Sequence, residues 1–105
     1  MLDLKGIHHI AIICSDYKKS KIFYTEILGF EVIQEIYREQ RDSYKLDLAL
    51  HGNYIIELFS FPNPAERPSY PEASGLRHLA FQVADIEKQV KILDDFGIKT
   101  EPIRV

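Results

Sequence analysis

The chain states one phrase twice. GIHHIAIICSD begins at residue 6 and GLRHLAFQVAD begins at residue 75. Gly6 aligns with Gly75, His9 with His78, Ala11 with Ala80 and Asp16 with Asp85, each pair 69 positions apart. A repeat of this kind confines the chain to folds in which two like modules share a core. At 105 residues the length suits one domain, or two small modules that would each bury little surface alone.

The first module begins with a strand over Ile7 to Cys14. Alternation places Ile10 and Ile12 on one face and His9, Ala11 and Ile13 on the other. Ser15 and Asp16 offer a helix N-cap. Tyr17, Ser20, Phe23, Tyr24, Ile27 and Leu28 then recur at helical spacing, and Gly29 suits the left-handed residue that ends a helix. A second strand is expected over Glu31 to Tyr37, a charged turn over Arg38 to Asp42 and a third strand over Tyr44 to Leu50. His51-Gly52-Asn53 forms a turn. A fourth strand follows over Tyr54 to Phe61, with Ile55, Glu57, Phe59 and Phe61 on one face. The order is βαβββ.

FPNPAERPSYPEASG holds four of the five prolines. Proline cannot donate to a ladder, so this stretch reads as a linker. The second module begins with a strand over Leu76 to Val83, with His78, Ala80 and Gln82 on one face. Asp85 caps a second helix whose inward face is Ile86, Val90, Leu93 and Phe96, and Gly97 ends it. Only EPIRV follows. The expected organisation is α+β: a βαβββ module over 1–61, a linker over 62–74 and an incomplete second module over 75–105. We expect the cellular protein to be longer, its added residues supplying strands and a glutamate.

Charge and cysteine content narrow the partners. The net charge is -3 with both signs interspersed, which argues against nucleic acid or an anionic membrane as the main partner. No apolar run is long enough to span a bilayer, and MLDLKGIHH lacks the basic start and apolar stretch of a signal peptide. The single cysteine, Cys14, cannot form an internal disulfide. It reads as a buried structural thiol in a cytoplasmic protein.

The repeat also carries the chemistry. One histidine on such a strand would be an ordinary imidazole satisfied by a hydrogen bond. His9 and His78, however, occupy equivalent places in equivalent strands, each with an alanine two positions on that leaves the face open. Two modules related by a two-fold axis bring such residues toward a common centre, which makes the pair a metal-site candidate. His8 is expected to point to the opposite face of its strand, and His51 to sit in a turn. Glu57 interrupts an apolar face, so its carboxylate must be solvated, paired or bound to metal. Two nitrogens and one oxygen suit Ni²⁺, Co²⁺, Zn²⁺, Fe²⁺ or Mn²⁺. Ala11, Ile13, Phe59, Ala80 and Gln82 line the expected cleft. Arg38 and Arg41 could hold a substrate carboxylate, but we assign them to a solvated hairpin turn.

HHIAIICSDYKKSKIFYTEILGF, YIIELFSF and GLRHLAFQVADIEKQ together resemble the vicinal oxygen chelate superfamily, in its glyoxalase I-like branch. The resemblance runs from about Gly6 to Thr100. It implies paired βαβββ modules whose curved mixed sheets enclose a metal. It also implies His9, Glu57 and His78 as three of the four ligands, with the fourth, a glutamate, having no counterpart before Val105. The reaction it implies is a metal-dependent lyase or isomerase step on a small molecule, a thiol adduct of a 2-oxoaldehyde. The ion acts as Lewis acid at an enediolate, and a ligand glutamate, Glu57 or the missing one, shuttles the proton. A homodimer is implied as well. The alternatives are an epimerase or extradiol dioxygenase of the same fold, or a non-catalytic binding protein on the same scaffold.

Overall fold

In the computed structural model, which describes residues 1–68 and 70–104, β1 (Ile10–Cys14) is the strand of the first repeat. Ser69 of the expected linker and Val105 of EPIRV lie outside the described residues. The chain forms two compact units, Met1–Glu66 and Arg67–Val105.

The first unit follows the expected order. After β1 come α1 (Tyr17–Ile22), a π-helical turn at Phe23–Ile27, β2 (Glu31–Arg38), a 3₁₀ turn at Glu39–Arg41, β3 (Ser43–Leu50) and β4 (Asn53–Ser60). The strands form one sheet in the order β1-β4-β3-β2. β1 runs parallel to β4, and the other pairs are antiparallel. The β3–β4 hairpin turns through His51 and Gly52, both at positive φ (50° and 80°). Positive φ at both central residues gives a two-residue turn the twist of its flanking strands.

Asp16 starts α1 as expected, its Oδ1 accepting from the Lys19 N–H at 3.1 Å. The helix then loosens into the π turn, closed by the Leu28 N–H donating to the Phe23 carbonyl at 2.9 Å. Within it, the Thr25 hydroxyl donates to the Lys21 carbonyl at 2.7 Å, a competing bond that bends helices. The residues expected on the helical face, from Tyr17 to Leu28, are all half-buried, while Lys18, Lys19, Ile22 and Glu26 are exposed. Tyr17 stacks on Tyr44 with ring centroids 4.4 Å apart and donates to Glu35. Lys21 also donates to Glu35, at 2.8 Å.

Alternation divides the sheet into two faces. On the α1 face Ile10 and Ile12 pair with Ile56 and Leu58, which pair in turn with Leu48 and Leu46. Leu46, Leu48, Ile56 and Leu58 are wholly buried and form the centre of the core. The other, open face carries Ala11 and Ile13 of β1, Glu57 and Phe59 of β4, Lys45 and Asp47 of β3, and Gln34, Ile36 and Arg38 of β2.

Two expectations need correction. The first strand begins at Ile10, not Ile7. Its ladder starts at Ile56, just past an irregularity where β3 residues Leu48 and Ala49 pair with Ile56 and Tyr54. The extra residue, Ile55, bends β4 at that point, and residues 7–9 precede the ladder. The second correction is the strand over Leu76 to Val83. These residues form no strand in the second unit. Alternation prepares a segment for a sheet, but a strand also needs a neighbour's backbone to pair with, and among the described residues none pairs with these. The second helix is present as α2 (Ile86–Asp95). Asp85 caps it, accepting from the Lys88 N–H at 3.1 Å, and Gly97 follows at φ 76°. Val90 and Leu93 are half-buried, while Ile86 and Phe96 are 51% and 53% exposed.

Two outcomes test this packing. Leu58→Ala leaves a cavity at the middle of the sheet and should lower unfolding free energy by about 2–5 kcal/mol in denaturant titration, whereas Ile22→Ala on the exposed helix side should change it far less. The Lys21 ammonium, then the Tyr17 hydroxyl, holds the Glu35 carboxyl below its usual range. A lowered carboxyl stabilises above its unfolded pKa, and that contribution is lost as pH falls through the folded value. Thermal unfolding of the wild type between about pH 5 and pH 3 should therefore decline more steeply than that of Glu35→Gln.

Candidate functional site

The open face collects polar groups on an otherwise apolar strand surface. β1 delivers His9 just ahead of its first paired residue, and β4 delivers Glu57 opposite Ala11. His9 Nε2 stands 3.7 Å from Glu57 Oε1, with the two side chains 34% and 17% exposed. The residues expected to carry chemistry in the first module thus come together, although they lie 48 positions apart.

Glu57 is held from its other oxygen. Oε2 accepts from the Tyr54 hydroxyl at 3.3 Å and lies 3.4 Å from Lys45 Nζ. Asp47 stands directly across the ladder from Glu57. It accepts from the same Tyr54 hydroxyl at 2.9 Å and from Lys45 at 3.0 and 3.1 Å. Burial, then the hydrogen bond to Asp47 and the nearby negative charges, push the Tyr54 phenol well above its ordinary range. The hydrogen bonds to Asp47, and secondarily to Glu57, raise the Lys45 ammonium. Tyr54 is therefore a neutral donor and Lys45 a fixed cation at neutral pH.

The imidazole is positioned from both sides. Tyr54 stacks on His9 with centroids 5.0 Å apart and an interplanar angle of 17°. His8 meets it edge-on, the two Nδ1 atoms 2.7 Å apart. One of these nitrogens must carry the proton. With the proton on His9 Nδ1, the Nε2 lone pair faces Glu57; with it on His8, His9 can direct an Nε2–H there instead. His8 therefore does not point to the opposite face as expected. Residues 7–9 precede the ladder, so the strict two-residue alternation does not govern them.

Sequence reasoning also passed over Lys45, Asp47 and Tyr54. The first two had a signal: in SYKLDLAL the polar residues Ser43, Lys45 and Asp47 occupy the positions between the leucines. Tyr54 had none, because alternation sets it on the face opposite Glu57, and only the irregularity at Ile55 returns it. Ala11, Ile13 and Phe59 share the open face as expected. His78, Ala80 and Gln82 belong to the second unit, where His78 is exposed beside Arg77. Arg77 itself pairs with Glu72 at 2.9 Å.

The chemistry of the pair suits a divalent ion. An imidazole nitrogen and a carboxylate oxygen each about 2.0–2.2 Å from one ion stand roughly 3–3.5 Å apart, close to the 3.7 Å between His9 and Glu57. Among the described residues, no group of three or more His, Cys, Asp or Glu side chains is gathered closely enough to hold an ion. His9 and Glu57 are by themselves two such donors, spaced as one ion would need.

Comparison with known proteins gives this arrangement its relatives. The protein YwkD of Bacillus subtilis (strain 168) is 68% identical over 101 residues, covering 96% of this chain and 79% of that protein. YaeR of Escherichia coli (strain K12) is 63% identical over 105 residues, covering all of this chain and 81% of that protein. The crystal structure of a glyoxalase family protein from Enterococcus faecalis superposes with a TM-score of 0.88 at 50% identity, covering 96% of this chain and 79% of that one. Two remoter structures share the fold. One is the fosfomycin resistance protein FosX from Listeria monocytogenes, as its E126Q mutant complexed with Mn(II) and 1S,2S-dihydroxypropylphosphonic acid (TM-score 0.74, 21% identity, 98% of this chain and 78% of that one). The other is the trypanothione-dependent glyoxalase I of Leishmania major (TM-score 0.70, 23% identity, 95% of this chain and 73% of that one). The family model for the Glyoxalase/Bleomycin resistance protein/Dioxygenase superfamily matches residues 6–104, a span that takes in both histidine-bearing repeats and the strand of Glu57, and the chain belongs to that superfamily.

Proposed function

We propose that this chain is a metal-dependent lyase or isomerase of glyoxalase type, in which His9, Glu57 and His78 ligate one divalent transition ion and Glu57 transfers the proton. The observation that carries the proposal is the approach of His9 Nε2 to Glu57 Oε1 at 3.7 Å on the open face. His78 enters through the repeat, as the residue equivalent to His9 in the second module. Solved relatives of the same fold add support: one is a complex with Mn(II), and another is a glyoxalase I.

When bound, a divalent ion supplies Lewis-acid stabilisation of negative charge on a substrate's adjacent oxygens. The chain's own groups do the rest. Tyr54 and Lys45 hold Glu57 through Oε2, leaving Oε1 toward His9 to take and return a proton. Ala11 stands opposite Glu57 on the ladder, with Ile13 and Phe59 paired further along the same face. A small molecule with two neighbouring oxygens and an acidic C–H, such as a thiol adduct of a 2-oxoaldehyde, matches this set of groups. The protein works as a cytoplasmic homodimer in this reading.

Elemental analysis of the purified protein should find about one divalent transition metal per site, and His9→Ala, Glu57→Ala or His78→Ala should each remove most of it. Because His8 orients His9 without facing Glu57, His8→Ala should retain metal but bind it about 10-fold more weakly, as expected for a group that supports a ligand. Equal metal content in all four variants would sink the assignment.

Turnover of a methylglyoxal–thiol adduct should fall at least 100-fold in Glu57→Gln, the scale set by losing a general base. Oxygen uptake without isomerisation would reassign the site to dioxygenase chemistry, and tight ligand binding with no turnover would make it a binding protein.

A further inference from the structure

Arg38 ends β2 on the open face, where it pairs with Ser43 across the β2–β3 ladder. Its guanidinium carbon lies 5.2 Å from the centre of the Phe59 ring. Nη2 donates to Ser43 Oγ at 3.1 Å, while Nε is shut away from water without a hydrogen-bond partner. Among the described residues no carboxylate forms an ion pair with Arg38, although Lys45 on the neighbouring strand is paired with two. A half-buried cation laid on an aromatic ring, with a serine as its hydrogen-bonding neighbour, is costly to keep. Its planar fork of five donors matches a carboxylate or phosphoryl group.

The position gives that fork a purpose. Phe59, the ring beneath it, follows Glu57 by two residues on the same face, roughly 7 Å along the strand. Arg38 also borders a recess of about 370 Å³ with Glu39, Gln40 and Arg41, and the residue is half-buried, so part of it meets solvent. Arg41 differs: it is exposed, on the 3₁₀ turn.

We infer that Arg38 is a substrate-binding residue that holds the oxyanion group, carboxylate or phosphoryl, of a small acid whose reacting carbon lies at Glu57; this rests on the role proposed above for Glu57. The substrate class is then a small anion-bearing molecule whose charged group lies on the Phe59 side of the carbon that loses its proton.

The test needs no metal and no turnover. Full-length protein labelled with ¹⁵N arginine is titrated with sodium phosphate and separately with sodium lactate, against sodium chloride at equal ionic strength. The Arg38 Nε–H resonance, assigned by its loss in Arg38→Lys, is followed. A saturable shift with phosphate, with lactate or with both, and none with chloride, is expected, and the salt that saturates identifies the group. Arg38→Met should weaken this binding at least 10-fold, read from the protein's remaining resonances, and Arg41→Met should leave it unchanged. Arg38→Lys keeps the charge but not the fork, so it should weaken binding several-fold even if the methionine variant proves unfolded by circular dichroism. A flat titration with both salts, an equal response to chloride, or undiminished affinity in Arg38→Lys overturns the inference. The same titration on His9→Ala separates the two readings: anion binding should persist there whether or not metal is lost, so failure of the metal assignment would not register as failure at Arg38.

Discussion

Asp47 and Glu57 face one another across the two central strands, and the need to keep these carboxylates together governs the open face. Like charges directly opposite in a ladder repel. Lys45 answers by reaching both, 3.0 Å from Asp47 and 3.4 Å from Glu57. The Tyr54 hydroxyl, donating toward both, completes a four-residue cluster. This cluster leaves one oxygen of Glu57 facing His9. Without Lys45, the two carboxylates would have to share a proton or move apart, and Glu57 would lose its orientation. The aliphatic core on the opposite side of the same strands, Leu46, Leu48, Ile56 and Leu58, makes moving apart difficult, because sliding the register by one residue would turn those side chains out to water.

Much of this was legible in the chain. The alternation of β3 and of β4 from Ile56 onward, the Asp16 and Asp85 caps and the glycines closing each helix follow from local rules and hold, while the expected place of Ile55 on the Glu57 face is lost where the ladder is irregular. The pairing of His9 with Glu57 was legible too, through a carboxylate standing on an apolar face. What escaped reading depends on tertiary pairing. Whether a segment joins a ladder is decided by its neighbour, so Ile7 to His9 and Leu76 to Val83 alternate as strands do without being strands. Tyr54 reaches the site only because one extra residue in β4 shifts the alternation, and no property of the tyrosine announces that. Lys45 and Asp47 were written in plain alternation, but their importance comes from standing opposite Glu57, which only the register discloses. Arg38 is a similar case. Its place at the end of a charged turn suggests a solvated residue, while its side chain lies back over Phe59.

Membership of the superfamily and the observed geometry work at different levels. The family establishes the scaffold, and its members serve different chemistries upon it, so the scaffold by itself leaves the reaction open. The open face supplies its own particular set of groups: His9 with His8 beside it, the facing carboxylates of Glu57 and Asp47, a neutral phenol and two cations that differ in whether they are already paired. Among the described residues, no helix is long and apolar enough to cross a membrane.

The parallel pairing of β1 with β4 has a consequence for how the site comes into being. β1 is an edge strand, and its partner lies more than forty residues further along the chain, with α1, β2 and β3 in between. The β2–β3 and β3–β4 hairpins can close locally, but β1 can dock only after a long loop has been closed, at a cost in entropy that local contacts do not offset. His9 therefore meets Glu57 in the least local step of the sheet's assembly. A chain with its hairpins formed and β1 undocked would keep Glu57, Asp47, Lys45 and Tyr54 together and still lack its imidazole. In that sense His9 and Glu57 come together only when the whole sheet does, and a partly folded chain holds no more than half of the pair.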